Sequence, residues 1–267
     1  MSINDINNAA AAMNQLKARY EGFLDDADAQ IAQRQGAYDG LATNLKGVVG
    51  SEMTFTATVD PDAENPNRID GGTFNTIHDA ITSSPAGSFC RVKLVPGKTH
   101  PLASGISMDG RDIYIEPSGP GDRPIIETVS YSSGTHNGIR SFTPRYGGSL
   151  FIYNCNISFP TAPEDPDLPW SVARSLVAYQ PSRMADVSFY RCDVSGGIDG
   201  VKMGLAISYI GAGVTMGLAH VEFNGPLYGI IGGDGAQIIS QSSVTTLNGA
   251  QILEGGTIGT DTIQHGS

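Results

Sequence analysis

Carboxylates that could work in pairs and aromatics that could lie against a ligand are the side chains of this 267-residue sequence best suited to chemistry. Asp193, Asp199 and Glu222 are the acids on or beside the short apolar strands of the second half. Glycoside hydrolysis needs two carboxyl groups flanking one bond, one of them still protonated at working pH. Nothing in the sequence pairs any two of these three acids. They read first as solvated turn and strand-edge charges and second as a hydrolytic site. Trp170 is the only tryptophan and stands in a run, 159–171, with four prolines and three acids. Its indole can stack on a sugar face and donate its N–H, or fold back to anchor its own loop. Tyr131, Arg145 and Tyr146, with His136 and Arg140, enrich the connection 128–148 and form a second candidate surface.

Other chemistries find no support. The five histidines are scattered and no Gly-x-Ser-x-Gly occurs, so Ser/His/Asp catalysis is not expected. Asp60, Asp62, Glu64 and Asn67 resemble a calcium loop in composition, but the run lacks the central glycine and terminal glutamate of an EF-hand. It reads as a polar linker. Cys90, Cys155 and Cys192 lie far apart with no CxxC pair, so they read as buried small hydrophobes rather than zinc ligands. No catalytic residue, metal or cofactor is assigned.

The elements that must position any site fall into two parts. No proline precedes Pro61, while all 15 follow from there. Before that boundary apolar residues recur every 3.5 positions, at Ile3, Ile6, Ala10, Met13, Tyr20, Leu24, Ala27, Ile31, Tyr38, Leu41, Leu45 and Val48. This spacing keeps one seam facing a partner helix, the signature of a coiled coil. Lys17 and Arg34 interrupt the seam, and Leu16 and Phe23 widen it, which suits three strands better than two. Gly22, Gly36, Gly40 and Gly47 weaken the helix, so a break near 36–40 is allowed.

Beyond the boundary the chain reads as β. Thr54-Phe-Thr-Ala-Thr-Val59 alternates and is β-branched; a polar loop, 60–72, follows; then 74–81 reads as a short helix with Phe74, Ile77, Ala80 and Ile81 on one face. Leu150-Phe-Ile-Tyr-Asn-Cys-Asn-Ile-Ser158 aligns without gaps to Val187-Ser-Phe-Tyr-Arg-Cys-Asp-Val-Ser195. In both copies the period-2 pattern slips phase at one place, which predicts two short strands around a corner at Tyr153-Asn154 and Tyr190-Arg191. Stacking would then put Cys155 over Cys192 and Ile157 over Val194, as in a solenoid core. Further on, 234–239 recurs approximately as 248–253, without a readable strand order.

The segment 71–97, GGTFNTIHDAITSSPAGSFCRVKLVPG, resembles the opening of pectate-lyase-like right-handed β-helix proteins. In those a Phe-x-Thr-Ile-x-x-Ala-Ile capping helix precedes a strand ending in Pro-Gly. A coiled coil joined to such a body resembles bacteriophage tail fibres and tail spikes. The resemblance implies a homotrimer in the virion tail, made in the host cytoplasm, that contacts host-surface polysaccharide and other tail or baseplate proteins. The esterase relatives' Gly-Asp-x-Asp-Phe-Ile strand is absent.

The fold expected is mainly β: an α-helical coiled coil (1–50), a strand and polar linker (51–72), a right-handed parallel β-helix body (73–200) and a Gly-rich β region (201–267). A formal net charge of −11 argues against nucleic acid. No run of eighteen apolar residues suggests membrane insertion, and the N-terminus has neither basic n-region nor apolar h-region, so no signal peptide is expected. A structural, glycan-contacting virion component is the first expectation, with a polysaccharide depolymerase and a non-binding tail adaptor as alternatives.

Overall fold

The computed structural model describes residues 2–171, 174–178, 184–208, 213–232, 237–254 and 262–266, without the side chains of 5, 39, 41–52, 184 and 262–266. The chain divides into two compact units, Met1–Ser51 and Glu52–Ser267.

The first unit is helical. Helix α1 spans Ile3–Met53, 51 residues without interruption, including Gly36 and Gly40. The break allowed at 36–40 is absent, because two glycines cost a long helix only about 1 kcal/mol each. At 1.5 Å per residue the helix is about 76 Å long. Its seam lies open: Ile3 is 78% exposed, Met13 72%, Ile31 65%, Tyr38 68% and Leu24 44%, and among the described seam residues Ala27 alone is half-buried. Leu41, Leu45 and Val48 have side chains outside the described residues.

The second unit is mainly β. Among the described residues one large sheet has 13 strands and a second has six. Every pairing within both is parallel, an arrangement consistent with a β-solenoid. Thr54, Phe89, Asp112, Ser149, Asp186, Thr215, Ile238 and Ile263 share one register position, so a single pass of the chain takes 23 to 37 residues. The strand Thr54–Val59 is thus the first full rung of the body, and the Gly-rich stretch beyond 200 continues the same stack. The two approximate copies at 234–239 and 248–253 do not stack on each other: Ile239 lies in the large sheet and Leu253 in the small one.

The large sheet holds two ladders joined at a corner. Leu150 pairs with Val187, Ile152 with Phe189 and Ile157 with Val194, the registers expected from the repeat. All six are at most 1% exposed. Between the ladders Asn154, Arg191, His220 and Ser243 have φ of 52–55°, each one pass above the last. That left-handed residue turns the strand and shifts its alternation by one position, which is the phase slip seen in the sequence. Cys155 and Cys192 follow directly, stacked and fully buried.

The small sheet closes the core with Ile106, Phe142, Val177, Ala206 and Ile230, each buried. Helix α2, Ile77–Ser83, covers the first rungs with Ile77, Ala80 and Ile81. It starts three residues later than Phe74: Thr76 caps it by accepting from the Asp79 N–H, while Phe74 lies in a two-residue strand beside Thr54–Val59. Threonine at an N-cap satisfies an otherwise unpaired helix amide, so the boundary falls there.

Candidate ligand-binding face

The sequence-predicted residues end up in three places. Trp170 is half-buried against the body core, and its backbone forms a parallel bridge to Asn137. Asn137 is fully buried; its amide donates to the Asp165 and Leu168 carbonyls (2.6 and 2.9 Å) and accepts from the Asp165 N–H. One side chain thus fastens the proline-rich loop, and Trp170 is its anchor. Tyr131 belongs to a hairpin, Ser130–Ser132 with Asn137–Ile139, and its ring lies 4.2 Å beneath the Arg140 guanidinium. Arg145 sits 5.2 Å over Tyr146, which is 65% exposed at a left-handed turn. These two cation–π pairs are local, each between residues close in sequence.

The Asp60 run is closed by Lys98, whose ammonium lies 2.6 Å from Asp60 and 2.9 Å from Asp62. Asn67 accepts from the Thr73 N–H instead of facing an ion. That lysine fills the space a cation would need. Among the described residues no three His, Cys, Asp or Glu side chains converge as metal ligands. The cysteines are buried, and burial raises the thiol pKa of Cys192 to about 11, which keeps it protonated and unreactive.

The more organised surface is the outer face of the large sheet. In a strand alternate residues point away from the core, and parallel in-register strands line them up in columns. One column holds Arg91, Tyr114, Phe151, Ser188 and Gly217; another holds Lys93, Glu116, Tyr153, Tyr190 and Ala219. Tyr114 and Phe151 stack at 4.9 Å with planes 8° apart, and Tyr153 and Tyr190 at 5.6 Å and 10°. His220 meets Tyr190 edge-on at 5.5 Å, and the Arg191 guanidinium lies 5.3 Å from the Tyr190 ring. Arg91 donates to Glu116 at 2.6 Å, which raises its already high pKa. Partial burial raises the Tyr114 phenol.

Just past the corner the acids gather. Asp193 and Glu222 are register partners on adjacent rungs, both exposed. Arg123 pairs with Asp193 at 2.8 Å and donates to the Asn154 amide oxygen at 3.1 Å. Asp199 lies in the exposed turn after the strand Asp193–Ser195. The structure therefore puts two of the three acids singled out in register, and Tyr190 and His220, which the sequence did not single out as site residues, stand three and two residues ahead of them in the chain. Those aromatics were hidden because Tyr153, Tyr190 and His220 are 37 and 30 residues apart and meet only through register. The one available signal was Tyr at the same place in both copies of the repeat.

A scan against family models, a search of curated proteins and a search of solved structures each returned no match.

Proposed function

We propose that this chain is a structural component of a bacteriophage tail, a fibre or spike protein that trimerises through α1 and contacts host-surface glycan. The observation that carries the reading is the open seam of α1, with Ile3, Met13, Ile31 and Tyr38 exposed along a 51-residue helix. Isolated helices gain little in water, so an apolar stripe of this length calls for a partner, and the 3.5-residue spacing suits copies of itself. On this reading α1 forms a homotrimeric coiled coil and the body is a right-handed parallel β-helix located in the virion tail. Other tail or baseplate proteins would be its neighbours. The parallel body supplies a stiff display surface, and solenoid faces of this kind suit extended ligands.

Light scattering tests it. The full chain should run at about 84 kDa, three times the 28.0 kDa chain. A monomer sinks the proposal.

The pairing of Asp193 with Glu222 favours a second reading, a polysaccharide depolymerase. Two carboxyl groups on neighbouring rungs stand close together, as retaining glycoside hydrolysis requires. It demands reducing-end release from host polysaccharide that vanishes on Asp193→Asn or Glu222→Gln. A non-binding tail adaptor would instead form the trimer and bind no glycan at all.

A further inference from the structure

We infer that the saccharide contact of this chain is the corner between the two ladders of the large sheet, formed by Tyr153, Tyr190, Arg191, His220 and Glu222, and that it takes an uncharged oligosaccharide. The inference rests on the glycan-contact reading and locates it. It moves the contact away from Trp170, whose indole is packed on the core and whose loop is fastened by Asn137.

Three observations converge. First, the Tyr153–Tyr190 stack runs alongside the corner, and both aromatic stacks stop partway up the sheet. Above Phe151 the outward positions are Ser188 and Gly217, and above Tyr190 the next is Ala219. Ser188, Gly217 and Ala219 all carry small side chains or none, so this part of the face is a low shelf beside the rings. A sugar ring resting on the shelf lies against the aromatic edge and face that end the column. Aromatic side chains favour such contact because sugar C–H groups face the negative side of the ring.

Second, the shelf is rimmed by groups that both donate and accept. Arg191 and His220 can donate, and Glu222 and Asp193 accept, all exposed. A polyhydroxyl ligand uses both kinds at once.

Third, the corner is balanced in charge: Arg123 and Arg191 against Asp193 and Glu222. Arg123 is already paired with Asp193. A uronate would meet Glu222 and Asp193, and an amino sugar would meet the two guanidiniums, so an uncharged saccharide encounters the least repulsion. Tyr153, Tyr190 and His220 follow one another across three rungs. With neighbouring strands about 4.8 Å apart the contact is about 10 Å long and runs across the strands. That matches a di- or trisaccharide.

The test uses the full chain on an array of neutral hexose and N-acetylhexosamine oligosaccharides with uronate-bearing counterparts. Wild type should bind neutral members, with affinity rising from mono- to trisaccharide and then levelling. Tyr153→Ser with Tyr190→Ser should weaken binding by about tenfold or more, the loss of stacking on two rings. Tyr153→Phe with Tyr190→Phe should restore it, and Trp170→Ala should leave it unchanged. A thermal melt of each variant separates lost binding from lost fold. Binding that survives the serine pair in a folded protein, that falls only with Trp170→Ala, or that prefers uronates overturns the inference while leaving glycan contact standing. Wild type that binds nothing overturns the glycan-contact reading, and this inference with it.

Discussion

Helix α1 and the β body handle the same problem in opposite ways. In α1 the large apolar residues point into solvent, from Leu24 at 44% exposed to Ile3 at 78%. In the body Phe74, Phe142, Phe189 and Phe223 are at most 1% exposed, and the hydrophobic core begins at Phe55. The body completes its core with its own passes, each burying what the previous one leaves open. The helix completes nothing by itself. A single chain thus closes a core in one unit and leaves an apolar seam exposed in the other, and the two should respond differently to mutation.

The largest difference should appear in mass. Under the proposed trimer, Leu24→Asp with Ile31→Asp puts charge into the seam and should reduce the mass from about 84 kDa to that of the 28.0 kDa chain, read by light scattering. Circular dichroism should then show helix lost and β signal kept, as should removal of residues 1–51. Loss of the β signal with the helix would show that the body depends on α1.

Next in size is the core. Phe189→Ala should cost the body about 3–5 kcal/mol in chemical denaturation, the usual range for a buried aromatic. In the charged-seam background Met13→Ala should cost almost nothing, because Met13 is 72% exposed in the single chain.

Glycines should give opposite signs. Gly225 has φ of +122°, and a Cβ there would run into the Gly196 carbonyl of the rung below. Gly225→Ala should destabilise the body by about 1–3 kcal/mol. Gly22 lies in α1 with open space around its Cβ position, so Gly22→Ala should stabilise the helix by about 1 kcal/mol. Equal signs would contradict the two environments.

The same contrast explains what could be read from the sequence. The α1 seam was legible because a heptad needs only spacing. The rung at Leu150 and Val187 was legible because both copies carry the same phase slip, whose cause is the left-handed Asn154 and Arg191. Pass lengths of 23 to 37 residues hid the remaining rungs, since loops such as 159–171 insert between strands without disturbing register. The small-sheet strands Ile106–Ser107 and Phe142–Thr143 are two residues each, too short to show a period. For Trp170 the sequence left sugar stacking and loop anchoring both open, because its polar surroundings do not reveal that Asn137 draws the loop back onto the core. The corner itself was legible from the repeat, at Tyr153-Asn154 and Tyr190-Arg191; its surface was not, because His220 and Glu222 lie on a third rung that the repeat does not reach.

The smallest expected effect belongs to the body and is a dependence on pH. His100 is 1% exposed in the strand Thr99–Leu102. Its Nε2–H donates to the Val95 carbonyl at 3.1 Å, and its Nδ1 is buried with no hydrogen-bond partner among the described residues. Burial holds its pKa below 6.5, with nearby Lys98 adding to the shift, while the Val95 bond and the charges of Asp60 and Asp62 oppose it. The folded state therefore binds this proton less readily than the unfolded chain. The stability this neutral ring contributes is complete above the unfolded value of about 6.5 and is lost as pH falls from there toward the lower folded value. Asp60 acts in a separate window: hydrogen bonding to Lys98 lowers its pKa below 3.8, so its contribution disappears only in stronger acid. Denaturation midpoints of the body should thus drift down as pH falls below about 6.5 in wild type. The drift should flatten in His100→Gln, which keeps a donor but cannot titrate. A slope of equal size in both proteins would assign the acid sensitivity elsewhere.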